Sequence, residues 1–250
     1  MAVVKSRQRV PWSRISSIPA LAPDHVDVWK VRLDEPIPGP EGSILSPDEV
    51  DRANRFHFEK DRIHFTHCRS ALRLLLSDYL AVHAAEIRFK YLKGGKPQLA
   101  VEQNHDTLQF NISHSAGVAL IAVGCKHRLG VDIEKIRSEV DTLALAQRFF
   151  SVREREGLRA FSDSLRTSAF FACWTRKEAF LKATGDGLSF PLSDFSVTTH
   201  PDHDPTVEDI KGNKNAGTKW SLADIFVGDG YCAALAVEAN ATRIETYAWN

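Results

Sequence analysis

The chain has 250 residues, of which 43% are hydrophobic and 26% are charged, a composition typical of a globular protein with a sizeable core. Lysine plus arginine equals aspartate plus glutamate at 32 each, so net charge gives no reason to expect a nucleic-acid or membrane partner. No apolar run reaches the length of a membrane span, and the four cysteines lack metal-binding spacing, which favours reduced thiols in a cytoplasmic protein.

The first elements follow an irregular leader over residues 1–25. The alternation of apolar and polar residues in "VDVWKVRL" predicts a strand over Val26–Leu33. In "SPDE", Ser46 has the character of an N-cap and Glu49 completes a capping box. We therefore expect a helix from Ser46 to about His57.

A longer amphipathic helix is predicted over Lys60–Val82, where apolar residues recur at helical spacing. The segment "GGKP" (residues 94–97) predicts a turn. The apolar, β-rich segments "LQFNIS" and "GVALIAVG" predict paired strands joined across "HSA", and "LGVDIEKI" predicts a further strand.

The second part of the chain repeats this order of elements. Helices are predicted over "TLALAQRFF", over "VREREGLRAF" and, as the longest, over Leu165–Ala183. The segments "FSVTT", "KWSLADIF" and "GYCAALAVE" predict strands. The polar stretch over residues 200–217 predicts a surface loop.

A helix followed by antiparallel strands occurs twice, which predicts an α+β fold. We expect a pseudo-two-fold repeat of two similar α/β halves, each with a long helix packed on an antiparallel sheet. The expected division is a leader over residues 1–25, an N-terminal half over 26–125 and a C-terminal half over 126–250.

Two carboxylates in "GVDIE" are candidates for a metal site. On a strand, Asp132 and Glu134 point to the same side, where they repel each other unless a cation lies between them. Magnesium is typically held by one or two carboxylates together with waters and phosphate oxygens. A solvated strand edge paired with Lys135 or Arg137 explains the two acids equally well. In either case, we expect Ile133 to point into the core.

A third carboxylate lies in "WTRKEAFLK". Trp174, Glu178 and Lys182 are spaced by four and therefore share one face of the predicted helix. A surface Glu–Lys pair is the simpler interpretation of the two charged residues. The aromatic residues Phe171 and Phe180 nearby favour a less solvated setting for Glu178.

Other residues are suited to an anion. Ser113 and His114 are neighbours at a strand end, where they point to opposite faces and cannot form a nucleophile–base pair, but could donate to a phosphate. Lys96 lies in the "GGKP" turn, and Arg52 and Arg55 are three apart in a predicted helix, a pattern that also suits phosphate. Ordinary solvated surface residues would explain each of these features taken alone.

Taken together, these segments resemble the 4′-phosphopantetheinyl transferases of the larger, surfactin-type group. The family motifs appear here as "RANRF", "GKP", "FNISHS", "GVDIE" and "WTRKEAFLK", in the family's order. Glu178 follows Asp132 by 46 residues, within the spacing that the family shows. The match extends from Arg52 to Leu188.

The resemblance implies a reaction and its partners. A holo-acyl-carrier-protein synthase type of enzyme would transfer the 4′-phosphopantetheine arm of coenzyme A to a serine of an apo acyl carrier protein or peptidyl carrier domain. Adenosine 3′,5′-bisphosphate would be the second product. The resemblance also implies that coenzyme A binds between the two halves, that Mg²⁺ is required, and that the enzyme works as a cytoplasmic monomer.

The resemblance also assigns roles to the site residues. Asp132, Glu134 and Glu178 would hold Mg²⁺, and Glu178, Lys182 and Asp132 would be catalytic. Glu178 would be the base, a metal ligand or both. The residues placed against coenzyme A are Arg52, Arg55, Lys96, Ser113, His114, Asp132, Glu178 and Lys182, with Ser113 and His114 at the nucleotide 3′-phosphate.

Two other interpretations stay open at this point. One is an inactive carrier-binding module that kept the fold, although such a module would be expected to lose acids that are all present here. The other is a different Mg²⁺-dependent enzyme, such as a hydrolase of coenzyme A.

Overall fold

A computed structural model of the chain describes residues 12–14, 17–37, 44–92, 95–104, 108–185, 190–240 and 242–249. The strands are β1 (His25–Arg32), β2 (Phe89–Tyr91), β3 (Pro97–Leu99), β4 (Leu108–Ser115), β5 (Val118–Cys125), β6 (Leu129–Lys135), β7 (Phe195–Val197), β8 (Val207–Ile210), β9 (Ser221–Asp224), β10 (Tyr231–Val237) and β11 (Arg243–Trp249). The α-helices are α1 (Pro47–Ala53), α2 (Glu59–Leu80), α3 (Thr142–Phe149), α4 (Val152–Ala160) and α5 (Asp163–Thr184). None of the helices in these described ranges has the length and apolar character needed to cross a membrane.

The first sheet has the strand order β11–β1–β5–β4, and α2 packs on one of its faces. Leu72, Leu75 and Leu76 of α2 are fully buried in a cluster with residues of β1 and β5. Strands β4 and β5 form the expected hairpin, and its two-residue turn at Ala116 and Gly117 has φ values of 46° and 81°. Positive φ at both turn residues matches the right-handed twist of the strands that they join.

The second sheet has the strand order β6–β10–β9, and α5 packs on it. Gly130 allows this packing to be unusually close, because a Cβ there would lie 2.2 Å from the Ala179 carbonyl oxygen and 2.4 Å from the Ala183 nitrogen. The helix therefore lies directly against the start of β6. The α+β fold of two similar halves, each with a long helix on a sheet, is confirmed.

Strands β4 and β6 lie side by side but belong to different sheets. A side chain joins them, because Asn111 Oδ1 accepts a hydrogen bond of 2.9 Å from the Val131 nitrogen. Beneath this junction, apolar residues of both sheets form one cluster that includes Val28, Leu120 and Ile133. Ile133 is only 1% exposed, which confirms that it points into the core.

Three expectations about secondary structure need correction. The stretch 200–217 is not only a loop, because it contains β8, which pairs with β7 and buries Val207. Helix α1 ends at Ala53 rather than near His57, because the chain turns so that Phe56 packs on Phe65 with ring centroids 5.4 Å apart. Strands β2, β3 and β11 were not predicted.

Strand β11 pairs in parallel with β1, so the last described strand lies in the sheet of the first half. The leader also reaches this sheet, because Ser13 forms a bridge to Tyr247 of β11. The division into halves at residue 126 stays a prediction. Because β11 lies in the first sheet, that sheet is not built from one continuous segment of the chain.

A buried ion pair fixes α5 to α4 and β7. The Lys177 ammonium lies 2.7 and 2.8 Å from the two carboxylate oxygens of Glu154 and donates to the Phe195 carbonyl at 2.6 Å. Glu154 also accepts a 2.8 Å hydrogen bond from the Val197 nitrogen. Both charged side chains are fully buried. Such a buried pair is tolerated because its hydrogen bonds satisfy both charges. Removing one partner leaves the other charge buried without compensation and destabilises the fold.

Lys177→Met should therefore lower the free energy of unfolding by about 3–5 kcal/mol, because Glu154 would stay buried without its counter-ion. The measurement is chemical denaturation followed by circular dichroism. The control is Arg243→Met, which breaks an exposed pair with Glu245 and should cost at most about 1 kcal/mol. Equal losses in the two variants would contradict the assignment of Lys177 as an anchor.

A second buried polar group lies under α2. Asp27 is 2% exposed and accepts a 2.6 Å hydrogen bond from the Tyr79 hydroxyl, which in turn accepts one of 2.9 Å from Trp29 Nε1. Burial raises the pKa of Asp27; the Tyr79 hydrogen bond and the charge of His25 oppose this rise, and the charge of Glu245 adds to it.

The pKa of Asp27 is therefore higher in the folded than in the unfolded chain, where it is about 3.9. The folded state binds this proton more readily, so the carboxyl favours folding at low pH and disfavours it as pH rises through the raised pKa. The stability of Asp27→Asn relative to the unchanged protein should increase from about pH 4 to about pH 7. Urea denaturation at several pH values measures this, and a difference that does not vary with pH would contradict it.

Candidate active site

The candidate site lies where β4, β6 and α5 meet, and its centre is Asp132. Lys182 Nζ lies 2.7 Å from Asp132 Oδ1 and 2.8 Å from Ser113 Oγ. The Ser113 hydroxyl donates to the same carboxylate oxygen at 2.9 Å. The second oxygen, Oδ2, is buried and accepts no hydrogen bond from any described residue. A buried carboxylate oxygen without a partner is uncommon and points to a missing cation or donor.

Glu134 and Glu178 lie close enough to Asp132 to be influenced by its charge. Burial raises the pKa of Glu134, and the charge of Asp132 raises it further, against the hydrogen bond that Ser115 Oγ donates at 3.1 Å. Burial also raises the pKa of Glu178, again with a contribution from Asp132, while Lys182 opposes the rise. The three carboxylates expected to converge therefore share one region.

Helix α5 presents Glu178 and Lys182 to this region from one side. Trp174, one turn earlier on the same face, packs among aromatic rings, 5.8 Å from Phe149 and 6.1 Å from Phe150 between ring centroids. Glu178 is half-buried, so the alternative of a freely solvated Glu–Lys pair does not describe this face. Gly130 is what lets α5 approach β6 closely enough for Lys182 to reach Asp132.

The donor atoms fit a magnesium ion that is completed by substrate. Within the described ranges, no three His, Cys, Asp or Glu side chains form a ready-made metal cluster. The available donors are carboxylate oxygens, one of which is buried without a hydrogen-bond partner among the described residues. The charge of Asp132 contributes to the raised pKa of both Glu134 and Glu178. Magnesium commonly takes one or two such carboxylates and fills its remaining positions with water and phosphate oxygens.

A second group of residues, on the side of the first half, is basic. The His114 side chain is partly exposed, and its pKa is lowered by desolvation and then by nearby charges, including those of Lys182, Arg69 and Arg52. The guanidinium groups of Arg52 and Arg69 lie 5.3 and 5.6 Å from the ring centroid of Phe65. Several cations around one histidine form a favourable environment for an anion.

Arg69 is a residue of this group that the sequence analysis missed. Its guanidinium is almost buried, and its Nη1 finds no acceptor among the described residues. Arg73, one turn later, instead has a structural role, since its guanidinium donates to Glu49 Oε2 at 2.7 Å and to two backbone carbonyls. The sequence places both arginines on one helix face and gives no signal to tell them apart.

Two residues predicted to bind phosphate have other surroundings. Arg55 lies in the exposed loop after α1 rather than on a helix beside Arg52. The Lys96 ammonium is largely buried and donates to the Leu129 carbonyl at 3.1 Å and to the Lys182 carbonyl at 2.5 Å. Burial, together with the charges of Lys182 and Arg128, lowers the pKa of Lys96 to about 8. Lys96 thus joins the two halves at the end of α5.

The arrangement is suited to phosphate chemistry. The carboxylates can hold a divalent cation or take a proton, and the charge of Lys182 acts both on them and on His114 of the basic group. An extended ligand with phosphate groups at two positions would be complementary to the acidic site with its cation and to the basic group.

Comparison with known proteins agrees with this chemistry. The family model for the 4′-phosphopantetheinyl transferase superfamily matches residues 128–236, and the model for the N-terminal region of 4′-phosphopantetheinyl transferases matches residues 41–126. The first contains β6 and α5, and the second contains α1, α2 and β4.

Individual relatives extend over most of the chain. The 4′-phosphopantetheinyl transferase HetI of Nostoc sp. is 38% identical over 219 residues, which are 87% of this chain and 89% of the relative. The 4′-phosphopantetheinyl transferase Sfp of Bacillus subtilis is 33% identical over 186 residues, 72% of this chain and 80% of the relative. The chain therefore belongs to the 4′-phosphopantetheinyl transferase superfamily, whose members transfer phosphopantetheine to carrier proteins.

Proposed function

We propose that this enzyme moves the 4′-phosphopantetheine arm of coenzyme A to a serine of an apo acyl carrier protein or peptidyl carrier domain. Adenosine 3′,5′-bisphosphate is the second product, and Mg²⁺ is required. The observation that carries the proposal is the Asp132–Lys182 contact, with Asp132 Oδ2 unpaired and two further carboxylates beside it. The reaction displaces one phosphate from another, so its main demands are charge neutralisation and positioning.

The donor set supports the choice of metal and ligands. Asp132, Glu134 and Glu178 would hold Mg²⁺, which when bound neutralises pyrophosphate charge that would otherwise repel an incoming oxygen. Lys182, which contacts Asp132 at 2.7 Å, carries a flexible ammonium that can reach a phosphate oxygen bound beside these acids.

Glu178 is the proposed base. Its raised pKa makes it a better proton acceptor than an ordinary glutamate. The carboxylate takes the proton of the carrier serine, directly or through water, as the serine oxygen bonds to the phosphorus that carries the pantetheine arm. The bond from that phosphorus to the bridging oxygen breaks, and the leaving phosphate departs with the nucleotide. Lys182 offsets the charge that develops on it. Glu178 serves as base, metal ligand or both.

The basic group holds the nucleotide in this proposal. His114 and Arg52 contact the 3′-phosphate, and Arg69 adds a guanidinium with a free nitrogen beside them. Arg55, from its exposed loop, and Lys96, through its charge, are weaker candidates for contact with coenzyme A.

We further propose a cytoplasmic monomer of the holo-acyl-carrier-protein synthase type. Cys68 and Cys173 are buried thiols outside any disulfide, and burial raises the pKa of Cys68 to about 12 and that of Cys173 well above its usual value. Buried reduced thiols are typical of a protein from a reducing compartment. One chain supplies both the acidic site and the basic group, which supports a monomer.

The direct test is mass spectrometry of an apo carrier protein after incubation with the enzyme, coenzyme A and Mg²⁺. The proposal expects a mass gain equal to one phosphopantetheine arm on the carrier serine. Cleavage of coenzyme A in the absence of any carrier would instead indicate a hydrolase. No gain with several acyl and peptidyl carriers would overturn the proposal.

Glu178→Gln should reduce turnover about 10²–10⁴-fold, because the amide cannot accept the serine proton. The affinity for coenzyme A, measured by calorimetry, should change far less. The matched control is Glu156→Gln, which makes the same chemical change at an exposed position of α4 and should leave turnover unaltered. A parallel loss of binding and turnover would argue against the role as base.

Removal of divalent metal should abolish transfer, and added Mg²⁺ should restore it. In the presence of coenzyme A, Mg²⁺ should also raise the melting temperature, because a ligand that binds only the folded state stabilises it. Asp132→Asn should lose this metal-dependent rise, measured by differential scanning fluorimetry. Full activity in excess chelator would contradict the metal assignment.

A further inference from the structure

Alternate residues of β4 face β6 and form a polar seam between the two sheets, consisting of Asn111, Ser113 and Ser115. Ser113 Oγ donates to Asp132 Oδ1 at 2.9 Å, and Ser115 Oγ donates to Glu134 Oε2 at 3.1 Å. Two serines of β4 thus donate to two carboxylates of β6, and the members of each pair are two residues apart. The register is fixed by hydrogen bonds from the β6 backbone to β4 side chains, since Asn111 Oδ1 accepts from the Val131 nitrogen and Ser115 Oγ accepts from the Lys135 nitrogen.

This placement differs from the role that the family resemblance gives Ser113, next to the nucleotide 3′-phosphate. The Ser113 side chain is only 8% exposed, and its hydroxyl already donates to Asp132 and accepts from Lys182 at 2.8 Å. His114 points to the other face of the strand, where it is exposed and feels the charge of Arg52. Of the two neighbours, His114 is therefore the one available to a phosphate of the nucleotide.

The seam also orients the acids. Each hydroxyl donates to one oxygen of its carboxylate, and the other Asp132 oxygen, Oδ2, has no hydrogen-bond partner in the part of the chain that the structure describes. Two neighbouring carboxylates repel each other and would otherwise turn apart. Hydrogen bonds of this kind to a metal-binding carboxylate commonly fix its orientation, and their loss costs about 10–100-fold in metal affinity or activity.

We propose that Ser113 and Ser115 are positioning residues that orient Asp132 and Glu134 toward the divalent cation, and that Ser113 does not contact the nucleotide. The proposal rests on the proposed function, since it concerns the same acidic site. Replacing either serine should weaken metal binding and lower turnover. These losses should be the same whether or not the substrate carries the 3′-phosphate.

The experiment compares coenzyme A with 3′-dephospho-coenzyme A in Ser113→Ala, Ser115→Ala and His114→Ala. Both serine variants should lower kcat about 10–100-fold with either substrate, so that the ratio of kcat/KM values for the two substrates stays as in the unchanged enzyme. His114→Ala should instead reduce that ratio, because it removes a group placed beside the 3′-phosphate. A fall of the ratio in Ser113→Ala would overturn the proposal.

A second readout does not depend on activity. Binding of Mn²⁺ in the presence of coenzyme A, followed by electron paramagnetic resonance, should weaken about 10–100-fold in both serine-to-alanine variants. Ser113→Thr and Ser115→Thr keep the hydroxyl and should recover most of the affinity. If the alanine variants lower the melting temperature but bind Mn²⁺ normally, the serines are only structural and the proposal fails.

The proposed function and the positioning role of the serines can fail separately. If the unchanged enzyme neither transfers the arm nor binds Mn²⁺, the proposed function fails and the proposal falls with it. If the unchanged enzyme is active and binds Mn²⁺, but both serine variants match it, only the positioning role fails. Ser115 is half-buried at the end of β4, so Ser115→Ala still tests the proposal if Ser113→Ala does not fold.

Discussion

The close packing of α5 on β6 is the constraint on which the site depends. Gly130 permits it, because any side chain there would collide with the backbone of Ala179 and Ala183. The packing brings the Lys182 ammonium within 2.7 Å of Asp132 although the two residues are 50 positions apart. A local property of one residue, the absence of a Cβ, thereby decides whether charges from two separate elements can act together.

Two consecutive residues of α5 have different roles, one in the stability of the fold and one in the candidate site. Lys177 faces inward, where its buried pair with Glu154 holds the helix to α4 and β7. Glu178 faces Asp132, and its raised pKa reflects burial and the charge of Asp132. Five residues after Lys177, the Lys182 carbonyl accepts a hydrogen bond from Lys96 of the first half. These contacts hold the C-terminal part of α5, which carries Glu178, and a held backbone favours efficient positioning of reacting groups.

The sequence predicted the elements with strong periodicity and the residues at the centre of the site. Helices α2 and α5 and the β4–β5 hairpin follow from local spacing and turn chemistry, and Asp132, Glu178 and Lys182 follow from motifs. What it could not predict depends on long-range pairing or on side-chain direction. Strand β11 is defined by a parallel partner more than 200 residues earlier, and the exact surroundings of Ser113 depend on β6 lying beside β4 without a shared backbone ladder. Neither relation leaves a local pattern.

We propose that the acids on β6 and α5 would hold a divalent cation whose remaining positions the pyrophosphate of coenzyme A would fill. Anomalous X-ray diffraction from a crystal grown with Mn²⁺ and coenzyme A can locate such a cation. We expect a single anomalous peak bonded to Asp132 Oδ2, to an oxygen of Glu134 or Glu178, and to a phosphate oxygen. A peak that contacts none of these carboxylates, in a crystal with coenzyme A bound between the halves, would contradict it.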